Sequence, residues 1–217
     1  MLICCKKSDG PSTNGYEYLP LEVGRFTTYD VSQATYSAGK TVPVVSNWQE
    51  KDEVISSSEG SDGSLIFVVA RSSRKAESEY WQKVKEYTIT RSPDKVLTSI
   101  DNVSVFSLAF PVANRIEWNG NSYNNREKQT FRYEDVDKPF DLKDQRFGNT
   151  LNVVERKDSS VINKYIGQKR YAQQVGLIFE EQIALEYCQT PDCLENDKQI
   201  IESGFSLKKT INQYGNN

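Results

Sequence analysis

Residues 177–187 alternate. Leu177, Phe179, Ile183, Leu185 and Tyr187 fall on one face of an extended chain, and Glu180, Gln182 and Glu186 on the other, with only Glu181 breaking the apolar face. A period of two marks a half-buried β-strand, because successive side chains leave opposite sides of the pleat. Phe205, Leu207 and Ile211 repeat the pattern, with Lys208 and Thr210 outward. Aromatic and β-branched runs at 26–31, 42–55, 65–71, 80–90, 103–110, 131–133 and 150–156 read as further strands, with a Ser- and Gly-rich hairpin turn at 56–64. Helix is restricted to one or two turns within 157–168. About ten strands joined by short turns imply antiparallel neighbours, and a sheet of that size must protect its edges. The expected fold is all-β with minor helix: one strongly curved antiparallel sheet, half-barrel or barrel-like, with a sandwich as the alternative. Alternation alone leaves open whether the inner face is packed or holds a ligand.

The ends of the chain carry a different signal. Met-Leu-Ile-Cys-Cys-Lys-Lys at the start places Leu2, Ile3 and the small residue Cys4 before Cys5, the order in which a bacterial lipoprotein signal presents its lipid acceptor. Cys5 is therefore the expected lipidation site, with residues 1–5 the remnant of a signal whose basic and longer apolar parts are missing. The repair that fits is a start codon assigned too late. A cytosolic chain with two incidental cysteines is the competing reading. Residues 6–15 are polar and form an expected flexible tether, leaving 16–217 as a single β-rich domain. The longest apolar run, Leu65 to Ala70, is far short of the roughly 18 residues that span a bilayer, so attachment rests on the lipid.

Cys188 and Cys193 bracket Gln-Thr-Pro-Asp, a turn-forming stretch, and a disulfide closing that short ring is the natural expectation. Such a bond persists in an oxidising compartment, in keeping with export. A zinc site competes for the same pair but lacks two ligands. No metal is expected.

The chain contains no histidine. That removes Ser-His-Asp and Cys-His nucleophile pairs and the commonest general base near neutral pH. Neither a Gly-x-Gly-x-x-Gly turn nor a phosphate loop is present, so no cofactor is expected. A net charge of −3, with Lys and Arg dispersed, gives no nucleic-acid footprint. Paired-carboxylate chemistry of the glycosidase kind survives, although none of the 30 acids stands out as a pair. Glu181 is the acid placed among apolar residues, and an edge position reaching solvent is the preferred reading for it. Trp118, Asn119 and Asn121, at a tight turn, form the candidate binding surface, with sheet core as the plainer role for Trp118.

The segments Tyr18 to Phe26, Trp118 to Asn121 and Val175 to Glu181, together with the Cys188 to Cys193 loop and Ile201-Glu202-Ser203-Gly204, resemble small uncharacterised β-rich outer-membrane lipoproteins of Bacteroidota. The resemblance implies an exported, lipid-anchored β protein and brings no catalytic residues with it. Two functions follow as expectations. The first is a lipid-anchored envelope protein of the outer membrane, with a non-enzymatic binding or structural role towards a partner protein, a glycan or a lipid. The alternative is a histidine-free carboxylate hydrolase acting on envelope glycans. A pair of acids in an open cleft favours the hydrolase, and an enclosed apolar cavity favours lipid.

Overall fold

Twelve strands form one antiparallel sheet that nearly closes into a barrel in the computed structural model, which describes residues 15–194 and 199–217. Cys4, Cys5 and most of the expected tether lie outside the described residues. In chain order the strands are β1 (Arg25–Tyr36), β2 (Val44–Glu59), β3 (Leu65–Arg74), β4 (Gln82–Arg91), β5 (Lys95–Ile100), β6 (Val103–Ala109), β7 (Glu117–Asn119), β8 (Thr130–Leu142), β9 (Gln145–Ser159), β10 (Asn163–Ala172), β11 (Gly176–Tyr187) and β12 (Ile201–Asn216). The sheet order β6-β5-β4-β3-β2-β1-β12-β11-β10-β9-β8-β7 is an up-and-down meander in which the first and last strands pair at its centre. The all-β, barrel-like expectation holds, and the sandwich does not.

The two edges of the sheet, β6 and β7, meet through a seam of backbone and side-chain bonds. The Phe106 amide donates to the Gly120 carbonyl at 2.9 Å, and the Trp118 indole Nε1 donates to the Phe106 carbonyl at 2.7 Å. Lower on the same seam, the Tyr133 hydroxyl both donates to the Ala109 carbonyl and accepts from its amide, each at 2.8 Å. These bonds satisfy edge groups that would otherwise template aggregation.

One end of the barrel is stopped by the chain that precedes β1. Residues Tyr16–Tyr18 make a single 3-10 turn, and the segment is pinned from several sides. The Gln174 amide donates to the Glu17 carbonyl at 2.7 Å, Tyr16 packs edge-on to Phe110, and the Tyr18 hydroxyl donates to Asp137. Gly15 makes the approach possible, since its φ is +93° and a Cβ there would sit 2.3 Å from Val112 Cγ2. Tyr18 and Leu21 join the main core with Val54, Phe67, Val69, Ile89, Leu108, Trp118, Phe131 and Tyr133. Past that end, the β8–β9 hairpin curls back. Phe140, Leu142 and Phe147 on it join a second cluster with Ala172 and Ile178, and Lys143 Nζ reaches Asp30 at 2.8 Å.

Two expectations change. Residues 157–168 hold no helix: they finish β9, turn at Ser160–Ile162 and start β10, where pairing on both flanks overrides any local preference. The apolar face assigned to 177–187 is also split. Leu177 opposes Tyr171 and Phe179 opposes Arg170, with Ile178 an extra residue between them. That bulge reverses the phase of the strand. Leu177, Glu180 and Gln182 consequently face the interior, and Phe179 packs outside it against Phe140.

The Cys188–Cys193 disulfide is formed, with Cys193 inside a four-residue helical turn, Pro191–Leu194. In the chain-entropy description, a ring this small contributes about 2 kcal/mol. Replacing both cysteines by serine is expected to lower unfolding stability by about that amount in denaturant titration. An unchanged midpoint would mean that the loop is held by its other contacts.

Candidate functional site

A barrel of twelve strands is wider than one whose own side chains fill it, and here the surplus is a cavity. It measures about 450 Å³ and lies between the stopper and the opposite rim. Leu19, Pro20 and Leu21 floor it, and Ile100, Asp101, Val103 and Arg126 border it at the other end. The β2–β6 side supplies Val54, Val69, Ile89 and Val105 as an apolar wall, continued by Val175 and Leu177.

The remaining wall is a belt of charge. It is made by Glu155 (β9), Lys169 (β10), Glu180 (β11), Lys209 (β12), Tyr29 (β1), Glu50 and Asp52 (β2), Arg71 (β3) and Tyr87 (β4), in which Lys169 and Glu180, Glu180 and Lys209, Tyr29 and Glu50, and Asp52 and Arg71 are cross-strand register pairs; Tyr29, Asp52, Arg71, Tyr87, Lys169 and Glu180 line the cavity. Lys169 binds Glu155 at 2.6 Å, and Lys209 binds Glu50 at 2.6 Å and Asp52 at 3.7 Å. Arg71 grips Asp52 with two parallel bonds of 2.7 and 2.8 Å and lies 3.5 Å from Glu50. Lys209 also sits 4.3 Å from the centre of the Tyr29 ring, and Trp48 Nε1 donates to Glu50 at 3.1 Å. Buried charges of this number persist only when paired and hydrogen-bonded, which the belt achieves strand by strand.

The pairing sets the protonation states. Burial opposes ionisation of Asp52 and Glu50, but Lys209 and Arg71 outweigh it and hold both below the usual carboxylate range. Burial likewise opposes the charge on Lys169, and Glu155 and Glu180 override it, raising its pKa. Tyr29, Tyr87 and Tyr171 are pushed up, chiefly by burial, and stay neutral hydroxyls. Carboxylates with lowered folded-state pKa stabilise the protein above their unfolded values of 3.8 and 4.5, and that contribution disappears as pH falls through the lowered values. Thermal unfolding followed across pH is therefore expected to show a Tm that drops as pH falls below about 4.5. Lys169 works in the opposite sense, and its contribution persists to above its ordinary value of 10.5. A Tm flat down to pH 3 would contradict this ionisation pattern.

The residues singled out from sequence are placed elsewhere. Trp118 is only 9% exposed and packs against Phe106, Phe131 and Tyr133 in the seam. Asn119 Oδ1 accepts from the amides of Asn121 and Gln129, and Asn121 Nδ2 donates to the Glu127 carbonyl, so both shape the turn beside it. Glu181 is on the central strand β11, not at an edge, and is held on the outer face by Gln168 at 2.8 Å and Lys208 at 3.6 Å. The belt residues were missed. Their one sequence signal is phase: Lys209 alternates with Leu207 and Ile211, Asp52 with Val54, and Arg71 with Phe67 and Val69.

Fold and site together define a cavity-bearing, up-and-down antiparallel β-barrel. Among the described residues no helix is long and apolar enough to cross a membrane, and no group of three or more acidic or cysteine side chains is arranged to hold a metal ion. Comparison with known proteins finds no matching family model, no matching curated protein and no matching solved structure.

Proposed function

We propose that this chain is an exported envelope protein of the outer membrane, anchored through a lipid on Cys5, whose barrel binds a small amphipathic molecule of lipid type without transforming it. The observation that carries the reading is the interior cavity of about 450 Å³ with one apolar and one polar wall. That volume falls within the range of small-molecule sites, and its two-sided lining suits a molecule with an apolar body and a polar end. Export is supported by the Cys188–Cys193 disulfide, a bond kept in oxidising compartments.

The belt counts against the glycan hydrolase. Such an enzyme needs one carboxyl group that is protonated near neutral pH to release the leaving group. Asp52 and Glu50, two acids on the inner face of β2, are held ionised by Lys209 and Arg71 and have no proton to give.

Native mass spectrometry of the protein released gently from its own envelope tests the binding reading. The expected result is a bound small amphiphile that is absent from Val69→Phe and Leu177→Phe, which fill the cavity. Ligand-free spectra from protein that also takes up no added lipid would overturn it. For the anchor, radiolabelled palmitate is expected to mark the wild-type chain and not Cys5→Ala. Equal labelling, or none in either, would remove the anchor.

A further inference from the structure

A buried tyrosine hydroxyl normally finds a hydrogen-bond partner, because leaving it without one costs free energy. Two interior tyrosines of this barrel follow the rule: the Tyr133 hydroxyl bonds the Ala109 backbone twice, and the Tyr18 hydroxyl bonds Asp137. Tyr171 does not. It is 5% exposed, packs in the main core and lines the cavity, and its hydroxyl makes no hydrogen bond within the described residues. Nor is that oxygen sealed off, as the unpartnered Asn152 Oδ1 is, so it opens on the cavity. Its place on β10 explains the vacancy of partners: Tyr171 is in register with Leu151 on one side and Leu177 on the other, and neither side chain offers a polar atom.

The charges on the same wall are already answered. Arg71 holds Asp52 with two bonds, and Glu180 stands in register between Lys169 and Lys209, with Lys169 also bonded to Glu155 at 2.6 Å. Asp101 is bonded by Lys85 at the rim. Two lining cations have no carboxylate partner among the described residues, and they stand at the ends of the cavity. Arg25 donates to the Gln174 and Val175 carbonyls at the stoppered end, and Arg126 is exposed at the rim, where salt screens it over roughly 8–10 Å. Between those ends, neither an ammonium nor a carboxylate finds a free countercharge, and each loses its water on entry. An uncharged oxygen escapes most of that cost, and a tyrosine hydroxyl can donate to it or accept from it.

We infer that the cavity selects amphiphiles whose polar end is uncharged, a hydroxyl or an ester carbonyl, and that the Tyr171 hydroxyl receives it. The inference rests on the cavity-binding reading and narrows its ligand to neutral lipids of the fatty-alcohol or acylglycerol kind, as against fatty acids and fatty amines. Tyr29 and Tyr87, also on the lining, add two further neutral hydroxyls.

The test is a competition titration of the purified full chain near neutral pH, in which decanol, decanoate and decylamine, each below its solubility and micelle limits, displace the neutral probe N-phenyl-1-naphthylamine. Decanol is expected to bind about ten-fold or more tighter than either charged analogue. Tyr171→Phe is expected to weaken decanol about five-fold, the loss of one hydrogen bond, and to leave the affinity of the probe unchanged. Tyr165→Phe removes a hydroxyl that bonds Glu186 off the cavity wall, and is expected to leave both order and affinities intact. Stability gives a second readout. Because the Tyr171 hydroxyl has no protein partner, Tyr171→Phe is expected to unfold at the same or a higher denaturant midpoint than wild type, whereas loss of a structural hydroxyl would lower it. A charged analogue that binds as tightly as decanol, decanol binding unmoved by Tyr171→Phe, a lowered midpoint, or a bound probe that none of the three displaces each overturns this inference and leaves cavity binding standing. A probe that does not bind the wild-type chain at all fails the cavity-binding reading itself.

Discussion

Arg71→Met is expected to lose about 3–5 kcal/mol of unfolding stability, because it leaves Asp52 in the interior without its bidentate partner. Arg71 and Asp52 are 22% and 12% exposed at the side chain, so solvent does little to soften the loss. Lys209, 3.7 Å from Asp52 and 2.6 Å from Glu50, cannot neutralise both carboxylates. The double change Arg71→Met with Asp52→Leu is expected to recover most of the deficit, since removing both members of a buried pair is often near neutral and Lys209 then serves Glu50 alone. Denaturant midpoints for the two singles and the double, analysed as a mutant cycle, give the coupling directly. If Arg71→Met costs under 1 kcal/mol, the belt is solvated and the picture of a dry, interdependent network is wrong.

Trp118→Ala is the second large effect, at about 3–5 kcal/mol. The indole sits 4.6 Å from the Tyr133 ring and 5.8 Å from Phe106, and its Nε1 bond to the Phe106 carbonyl ties β7 to β6. Losing it opens a void and unpins the seam at once. Trp118→Phe separates the two contributions, since it keeps most of the ring packing and forfeits the hydrogen bond, worth about 1 kcal/mol. Because the damage is local to the edges, amide exchange in β6 and β7 should accelerate more than in β1 and β12 at the centre of the sheet. Uniform acceleration across all strands would mean that the barrel has no distinct seam.

Much of the architecture was legible because strand patterning is a local property. Turn residues and apolar alternation located most of the strands and implied antiparallel neighbours, and hence a curved sheet. What the alternation concealed was the interior. Lys209, Asp52, Glu50 and Arg71 lie in phase with apolar neighbours on their strands, and a charged residue in that place reads as an interruption of the core. Their partners are on other strands, as Lys209 and Glu50 are, 159 positions apart, so the pairing that makes burial tolerable has no sequence signature. The bulge at Ile178 adds a second difficulty: one unpaired residue exchanges inside for outside, and Glu180, read as solvent-facing, becomes cavity lining. Trp118 had the opposite fate. Its neighbouring turn suggested exposure, and the closure between β6 and β7, a contact set by topology, buried it.

The central claim is that the barrel interior is a binding cavity and not packing slack. Fluorescence titration with N-phenyl-1-naphthylamine, a neutral apolar probe that brightens out of water, tests it most directly. Wild-type protein is expected to give a saturable signal at one probe per chain, lost in Val69→Phe while far-UV circular dichroism and cooperative unfolding are retained. A probe signal that does not saturate, or that persists undiminished in folded Val69→Phe, would contradict the account.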